Sequence, residues 1–306
     1  MEEYEIVIIG AGPAGLAAGL YAARGRRRTL LIEKHITGGQ IALTSAIENY
    51  PGIGEINGFD LGQAMQQQAE RAGMETVYTA VTEIVPADDG FILRTEEGDY
   101  AAKAVIVTAG AAYNHLNVPG EERLTGFGVS YCGTCDAAFF KDQEVAVVGG
   151  GDAALDEGLF VARYASKVTV IHRRDTLRAS AILQERAFAN PSMTFRWNTV
   201  VTSIDGESQV ESLRLQDLET KEESDFPVGG VFIFIGQTPS TAFLEGLLDL
   251  DEAGHILVNE WMETSKPGIF AAGDIRSNSA RQVVSAAGDG ATAAIRADHY
   301  ITDHYS

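Results

Sequence analysis

The chain has 306 residues, enough for about two domains of ordinary size. Hydrophobic residues make up 45% and charged residues 22%, which predicts a globular protein rather than a disordered one. The formal net charge of −20 argues against nucleic acid or an anionic membrane as the main partner, because phosphate groups bind to positively charged surfaces. A charge of this sign is equally consistent with plain solubility.

The N-terminal stretch Ile6–Ala23 contains no charged residue and approaches the length of a transmembrane helix. Its four glycines and its proline argue against a membrane span. A signal peptide is also disfavoured, because Glu2, Glu3 and Glu5 occupy the region that carries positive charge in such peptides. We therefore expect a cytoplasmic protein without a membrane partner.

A β-α-β unit occurs twice in the chain, with an offset of 139 residues. In each copy a short apolar strand, residues 5–10 and 144–149, runs into a glycine turn, an amphipathic helix and a second apolar strand. Each turn carries the fingerprint of dinucleotide-binding units. The fingerprint residues are Gly10, Gly12, Pro13, Ala14 and Gly15 in the first copy, and Gly149, Gly151, Asp152, Ala153 and Ala154 in the second.

The spacing of these small residues has a physical reason. The first glycine permits the tight turn, the second lets the backbone approach a pyrophosphate, and the third small residue lets the helix pack close to the strand. The helix N-terminus then faces the phosphates. One fingerprint alone is weak, because glycine turns without a ligand are common. Two copies in the same strand–turn–helix–strand context indicate two bound nucleotides.

The residue that ends the second strand of each unit distinguishes the two nucleotides. Glu33 lies 18 positions after Gly15, where a carboxylate can accept hydrogen bonds from both ribose hydroxyls, as in FAD or NAD. The equivalent residue of the second unit is His172, and guanidinium groups beyond it would clamp a 2′-phosphate, which indicates NADPH. The alternative is a solvated basic loop. The candidate phosphate-binding residues are His172, Arg173, Arg174 and Arg178.

Both cysteines of the chain, Cys132 and Cys135, lie just before the second unit. Two intervening residues allow a disulfide within one helical turn, and such a pair in a cytosolic protein is more often catalytic or metal-binding than structural. Zinc is disfavoured, because a structural site takes four protein ligands and the chain has no second Cys-x-x-Cys. Asp136, which follows the pair, suits either proton transfer or helix capping.

Near the C-terminus an apolar strand runs into Gly273 and Asp274, and a helix is predicted from about Gln282. The Asp274 carboxylate suits a ribityl hydroxyl, although Gly-Asp is also an ordinary turn. These features predict an α/β fold with two Rossmann-like dinucleotide-binding domains. We expect an FAD domain in residues 1–113 and 244–306, with an inserted NADPH domain, residues 114–243, that carries the cysteine pair.

The order and content of the motifs resemble those of the low-molecular-weight, bacterial-type thioredoxin reductases, and the resemblance covers nearly the whole chain. Its most specific element is the Cys-x-x-Cys-Asp sequence just before the second fingerprint. The larger flavin disulfide reductases carry their cysteine pair soon after the first fingerprint instead. The further motifs in family order are Gly38-Gly39-Gln40, Asn49-Tyr50-Pro51-Gly52, His172-Arg173-Arg174 with Arg178, Ala272-Gly273-Asp274 and Arg281-Gln282.

The resemblance implies a homodimer that uses FAD and NADPH to reduce thioredoxin or a thioredoxin-like protein. In this family Cys135 would face the flavin, Cys132 would exchange with the protein substrate, and Asp136 would act as acid and base. The chain departs from the common pattern at Ala153, where the family often has Ser or Thr, and at Gly133, where it commonly has Ala. FAD contacts would come from Glu33, Gln40, Asn49, Asp274 and Gln282.

Three alternatives stay open on the sequence alone. The partner could be a glutaredoxin-like protein or a peroxidase component. A ferredoxin or flavodoxin–NADP⁺ reductase shares the two nucleotide domains, but it normally lacks the cysteine pair. A nucleotide-binding sensor with a metal at its cysteines would not be an enzyme. Because cysteines and nicotinamide must reach the same flavin, we also expect the inserted domain to rotate about Tyr113-Asn114 and Thr238-Pro239-Ser240.

Overall fold

The computed structural model describes residues 1–44 and 47–305, and its contacts divide the chain into two compact units. The first unit comprises Met1–Ala112 and Thr238–Ser306, and the second comprises Tyr113–Gln237. The second unit is therefore an insertion into the sequence of the first. The sequence predicts domain boundaries at 113/114 and 243/244.

The elements of both units follow in chain order. The first part of the first unit contains β1 (Glu2–Ile9), α1 (Pro13–Arg24), β2 (Thr29–Glu33), α2 (Gly58–Arg71), β3 (Glu75–Tyr78), β4 (Val81–Ala87), β5 (Gly90–Thr95), β6 (Gly98–Val107) and β7 (Ala111–Tyr113). The second unit contains β8 (Val129–Ser130), α3 (Gly133–Asp136), β9 (Glu144–Gly149), α4 (Asp152–Val161), β10 (Lys167–Ile171), α5 (Ala181–Ala189), β11 (Met193–Arg196), β12 (Thr199–Asp205), β13 (Ser212–Asp217), β14 (Glu223–Pro227) and β15 (Gly230–Phe234). The remainder contains β16 (Gln237–Pro239), β17 (Ile269–Ala271) and α6 (Val283–Tyr305).

The first unit is built on a seven-stranded sheet of order β3-β2-β1-β6-β5-β4, with β17 paired to β6. Strand β1 is parallel to β2 and β6, whereas β5 is antiparallel to both of its neighbours. Alternate residues of β1 enter two different cores: Ile6 and Ile8 pack with α1 and α6, and Val7 and Ile9 pack with the opposite layer. Strands buried on both faces explain the continuous apolar run of the sequence.

Helices α1 and α6 approach so closely that only glycine fits at their crossing. A Cβ on Gly290 would lie 2.0 Å from the backbone oxygen of Ala14. The C-terminal helix is thereby held against the start of α1. The helix predicted from about Gln282 begins at Val283.

The second unit contains a fully parallel five-stranded sheet of order β11-β10-β9-β15-β8. Val145 and Val147 of β9 pack with α4, while Ala146 and Val148 face the core shared with a three-stranded antiparallel sheet, β12-β13-β14. Both units therefore place a β-α-β element at the centre of a sheet.

The second chain crossing lies earlier than the predicted boundary because residues 238–244 pack with the first unit. Leu244 is fully buried in a core cluster of that unit. The Thr241 hydroxyl donates to the backbone oxygen of Gly254 at 2.9 Å. Within the described residues, no helix has the length and apolar character that crossing a membrane requires.

Candidate active site

The first fingerprint forms a tight turn between β1 and α1. Gly10 has φ +108°, and a Cβ there would lie 2.6 Å from the Thr108 backbone oxygen. A Cβ on Gly15 would lie 1.9 Å from the Gly10 oxygen, so the helix packs directly on the turn. At Gly12, by contrast, nothing lies within 4 Å of the added atom, and α1 begins next to it at Pro13. This open backbone is the part of the turn that a pyrophosphate can approach.

Thr108, at the end of β6, holds this turn from the neighbouring strand. Its hydroxyl lies 2.9 Å from the backbone oxygen of Ile9 and 2.8 Å from that of Gly10. No local motif points to Thr108, because its contact with the turn depends on the pairing of β6 with β1. Thr108 is therefore a candidate site residue that the sequence analysis does not include.

Glu33 ends β2 with its carboxylate against the fingerprint. Its two oxygens accept hydrogen bonds from the backbone N–H groups of Ala11 at 2.6 Å and His35 at 2.8 Å. Each carboxylate oxygen has a further lone pair that can accept from a ligand hydroxyl. The position therefore fits a ribose next to the pyrophosphate turn.

The Gly38-Gly39-Gln40 segment folds back onto the same turn. The Gly38 N–H donates to the Ala11 oxygen at 2.8 Å, and a Cβ on Gly39 would lie 3.3 Å from the Cα of Gly12. Both glycines have positive φ, and Gln40 follows them with an exposed side chain. The two motifs, distant in sequence, thus form one surface.

Asn49 and Gln282 meet although 233 positions separate them. The Asn49 Nδ2 donates to the Gln282 Oε1 at 3.2 Å. Gln282 directly precedes α6, and Arg281 beside it is exposed and has φ +56°. The fold therefore brings an early loop and the start of the last helix to one place.

Asp274 follows Gly273, whose added Cβ would lie 2.9 Å from the Cβ of Ala14 in the fingerprint helix. Burial raises the pKa of Asp274, and a hydrogen bond from the Ser279 hydroxyl at 2.8 Å acts in the opposite direction. A mostly buried carboxylate beside the fingerprint suits a ligand hydroxyl. With Glu33 and the open turn at Gly12, these features fit FAD.

The second fingerprint repeats the geometry of the first. Gly149 has φ +153°, and a Cβ there would lie 2.4 Å from the Phe234 oxygen. Gly151 has open space around it, α4 begins at Asp152, and Ala154 is buried. Ala153, exposed beside Asp152, has no hydroxyl to offer a phosphate.

His172, at the end of β10, is buried rather than open to solvent. A Cβ on Gly150 would lie 2.2 Å from its ring, and its Nε2 lies 3.0 Å from the Thr176 oxygen. Burial lowers the pKa of His172, and the charges of Arg174 and Arg178 lower it further. The imidazole therefore supports the fingerprint turn as a neutral group.

The loop after His172 presents three exposed arginines. Arg173, Arg174 and Arg178 form no ion pair within residues 1–44 and 47–305. The Arg178 N–H donates to the Gly150 oxygen at 2.7 Å, which fixes the loop to the fingerprint. In a chain of net charge −20, unpaired guanidinium groups beside a nucleotide turn fit the 2′-phosphate of NADPH.

Cys132 and Cys135 form a disulfide across the short helix α3, with their Cα atoms 5.3 Å apart. The Cys135 N–H donates to the Cys132 Sγ at 3.2 Å. Asp136 ends the helix with a half-buried side chain, and burial raises the pKa of its carboxyl. In the described part of the chain, no group of three or more His, Cys, Asp or Glu side chains is arranged to hold a metal ion.

Ser130 links this carboxyl to the cysteine backbone and was missed in the sequence. Its hydroxyl donates to the Asp136 Oδ2 at 2.6 Å and accepts from the Cys132 N–H at 3.1 Å. The contact arises because β8 places the buried Ser130 next to α3. No local sequence motif predicts this proximity.

The comparisons with known proteins agree over nearly the whole chain. The family described as pyridine nucleotide-disulphide oxidoreductase matches residues 4–290. The thioredoxin reductase of Bacillus subtilis (strain 168) is 48% identical over 301 residues, covering 98% of this chain and 95% of that protein. The crystal structure of the Streptococcus pyogenes MGAS5005 thioredoxin reductase has a TM-score of 0.94 at 45% identity, covering 98% and 99% of the two chains. The Lactococcus lactis thioredoxin reductase in its FR conformation has a TM-score of 0.68 at 42% identity, with coverage of 98% and 99%.

These matches confirm the predicted α/β fold with two Rossmann-like domains, and they confirm that the chain is an enzyme. The disulfide at Cys132 and Cys135 agrees with the redox chemistry of the family. The chain therefore belongs to the thioredoxin reductases of the pyridine nucleotide-disulphide oxidoreductase family, which are FAD- and NADPH-dependent thioredoxin-disulfide reductases.

Proposed function

We propose that this chain passes electrons from NADPH through FAD and the Cys132–Cys135 disulfide to a thioredoxin-like protein. The observation that carries the proposal is the disulfide itself, which lies beside the half-buried Asp136 in the unit whose exposed arginines suit NADPH. A purely structural disulfide would need neither the adjacent carboxyl group nor the exposed arginines.

FAD is assigned to the first unit and NADPH to the second. The proposed FAD residues surround the first fingerprint turn and the start of α6; they are Gly10, Gly12, Pro13, Ala14, Gly15, Glu33, Gly39, Gln40, Asn49, Gly273, Asp274, Arg281 and Gln282. The proposed NADPH residues surround the second turn; they are Gly149, Gly151, Asp152, Ala153, Ala154, His172, Arg173, Arg174 and Arg178. Because its ring is buried, His172 would shape the NADPH site while the arginines contact the phosphate.

FAD and NADPH, when bound, would supply the two electrons for reduction of the disulfide, and Cys135 is the sulfur proposed to accept them. Cys132, as the thiolate, then attacks the disulfide of the protein substrate and forms a mixed disulfide with one of its sulfurs. Cys135 attacks the Cys132 sulfur, which restores the internal disulfide and releases the partner as a dithiol. Asp136 would exchange a proton with a leaving thiolate, and its raised pKa means that a larger fraction of the carboxyl is protonated and able to donate.

The identity of the substrate is tested by turnover. The purified protein should bind FAD, as shown by its visible spectrum, and should oxidise NADPH in the presence of a disulfide-form thioredoxin. A panel of purified thioredoxin-like, glutaredoxin-like and peroxidase-component proteins should show the highest kcat/KM for a thioredoxin. A glutaredoxin-like protein or a peroxidase component as the best substrate would contradict the assignment of the partner.

A homodimer is the proposed assembly. The first unit supports it with apolar side chains of α1, α2 and α6 around a cavity of about 270 Å³, lined in part by Leu20, Met65 and Val284. Tyr21 lines the same cavity, and Tyr21 and Val284 are 49% and 45% exposed to solvent. Light scattering should give twice the mass of one chain, and Tyr21→Glu should lower it, whereas Tyr164→Glu in the second unit should not. A monomeric wild-type protein would exclude the dimer.

A rotation of the second unit is proposed, because one rigid arrangement cannot let the disulfide, the nicotinamide and a bulky protein substrate all react. The two chain crossings, which pair as β7 and β16, are the proposed hinges. The two solved relatives that fit this chain unequally at similar identity support more than one arrangement in the family. A cross-link that locks the units should permit one half-reaction and block steady-state turnover, and full turnover in a verified locked protein would refute the rotation.

A cytoplasmic location is also proposed. A reactive cysteine pair that NADPH must keep reducing suits a compartment in which thiols are held reduced. Cell fractionation with an antibody against the chain tests this location.

A further inference from the structure

A second carboxylate, Glu157 of α4, lies against the two residues between the cysteines and has no role in the proposed reaction. Its Oε2 accepts a hydrogen bond from the Thr134 N–H at 2.9 Å, and the Thr134 hydroxyl lies 3.4 Å from Oε2 and 3.5 Å from Oε1. Thr134 is one of the two residues between the cysteines. The carboxylate therefore contacts the turn that the disulfide closes.

The other intervening residue, Gly133, gives this carboxylate its space. A Cβ on Gly133 would lie 2.6 Å from the Glu157 Oε2 and 3.1 Å from a methyl group of Val161. Gly133 itself is buried. An alanine at this position would therefore displace the carboxylate. The observed position of Glu157 thus requires a glycine at residue 133.

The charge of Glu157 is not neutralised by any ion pair in the described part of the chain. Burial raises the pKa of Glu157, while the hydrogen bonds from Thr134 favour its ionised form. The Glu157 carboxylate is thus half-buried, hydrogen-bonded to the backbone and without an ion-pair partner in the described residues. A charge in such surroundings has its largest effect on the pKa of neighbouring groups.

We propose that Glu157 is a positioning residue of the redox pair that fixes the Gly133–Thr134 turn and, as an anion, opposes formation of the thiolate at Cys132. A thiol that ionises less readily is a stronger nucleophile once it has ionised. The inference rests on the proposed role of Cys132 as the thiol that attacks the protein substrate. It adds to that role a negative charge held by Thr134, separate from the Asp136 carboxyl that Ser130 holds.

The other charged groups of the elements packed against α3 are few. On α4, Asp152 accepts from the Ser180 N–H at 2.6 Å, and Asp156 is exposed. On α3 itself, Asp136 accepts from the Ser130 hydroxyl. Within the described helices α3 and α4 no residue is Lys or Arg, so a loss of charge at Glu157 should act in one direction only, towards an easier ionisation of the thiol.

The test measures the thiol of Cys132 in the full-length chain, in a Cys135→Ser background that leaves one cysteine. The rate of alkylation by iodoacetamide, followed from about pH 6 to about pH 10, reports its pKa. Glu157→Gln keeps an oxygen that accepts from Thr134 and removes the charge. We expect it to lower the thiol pKa by about one unit, which is about a tenfold faster alkylation at pH values below that pKa. Asp156→Asn, which removes the adjacent exposed charge, should leave the pKa close to that of the background.

Gly133→Ala supplies an independent variant, because it displaces the carboxylate without removing it. It should lower the thiol pKa less than Glu157→Gln does, and it should add nothing in the Glu157→Gln background. An unchanged or higher pKa in Glu157→Gln, or a shift that Asp156→Asn reproduces, overturns the inference. Thioredoxin reduction by a Cys132→Ser enzyme would instead overturn the proposed function, so the two failures can be told apart.

Discussion

The two β-α-β units share a backbone plan and differ in the residue at the end of the second strand. In the first unit, the Glu33 carboxylate reaches the fingerprint and accepts the Ala11 N–H directly. In the second, the equivalent His172 is a neutral ring packed under Gly150, and the loop beyond it projects arginines into solvent. In the proposed assignment, the shared scaffold binds a dinucleotide in each unit, and the residues at the end of the second strand select FAD or NADPH.

The two β-α-β elements also differ in the third small residue of the fingerprint and in the sequence that precedes each element. Gly15 has no room for a methyl group, whereas Ala154 already carries one. Only the second β-α-β element is preceded in sequence by a cysteine pair. Each difference leads to a substitution that should affect one unit and spare the other.

The largest effect should come from Cys132→Ser. The variant keeps both nucleotide sites, so anaerobic NADPH should still bleach the flavin absorbance at the wild-type rate. Without the attacking thiol, NADPH oxidation coupled to thioredoxin should fall by about a thousandfold or more, as for the loss of a nucleophile that acts as part of a unit. Coupled turnover near the wild-type rate would show that another group carries the exchange.

The arginine loop should produce the next largest effect. Replacing Arg173 and Arg174 by glutamine removes charge-assisted contacts of about 1.5–3 kcal/mol, or about ten- to a hundredfold in binding. The KM for NADPH should rise by that factor, while the KM for NADH should change little. Arg186→Gln, at an exposed arginine of α5, is the control. An equal rise for both cofactors would mean that the loop does not read the phosphate.

The fingerprint itself should respond unequally in the two units. Gly15→Ala forces a methyl group against the Gly10 oxygen and should cost about 1–3 kcal/mol of stability, with weaker FAD retention. Ala154→Gly creates no clash and should cost about 0.5–1 kcal/mol, as expected for glycine in a helix. Thermal unfolding and flavin release during gel filtration measure both effects. Equal losses in the two variants would show that the close helix–strand approach is not special to the first unit.

The smallest effect concerns stability against pH. Burial raises the pKa of Asp136 above its ordinary value of 3.8, so the folded chain holds this proton more tightly than the unfolded chain does. The stability that this contributes is complete below pH 3.8 and is lost as the pH rises through the folded pKa. Asp136→Asn cannot ionise and should therefore raise the apparent Tm near neutral pH, with the gain disappearing in acid. Asp99→Asn, at an exposed site, should show no such dependence.

The sequence predicted those parts of the molecule that depend on local patterns. The repeated apolar strand, the glycine turn and the helix start at Pro13 or Asp152 follow from spacing within about twenty residues. Thr108, Ser130 and Glu157 were missed because each reaches the site from another strand or helix, and a hydrogen bond across a sheet leaves no local pattern. The burial of His172 has the same cause, since the ring packs on Gly150, 22 positions away. The contact-based division places the second chain crossing at 237/238 rather than at 243/244, because the burial of Leu244 in the first unit could not be read from composition.

The discontinuity of the first unit has a consequence for the order in which the protein assembles on the ribosome. Residues 113–237 form a continuous unit that can fold as soon as it emerges, because no later residue belongs to it. The first unit cannot be completed so early, since β17 and α6 are synthesised last and Ala14 meets Gly290 only then. The Asn49–Gln282 contact also waits for the end of translation. The nascent chain should therefore gain its NADPH fold before it gains a site that can retain flavin.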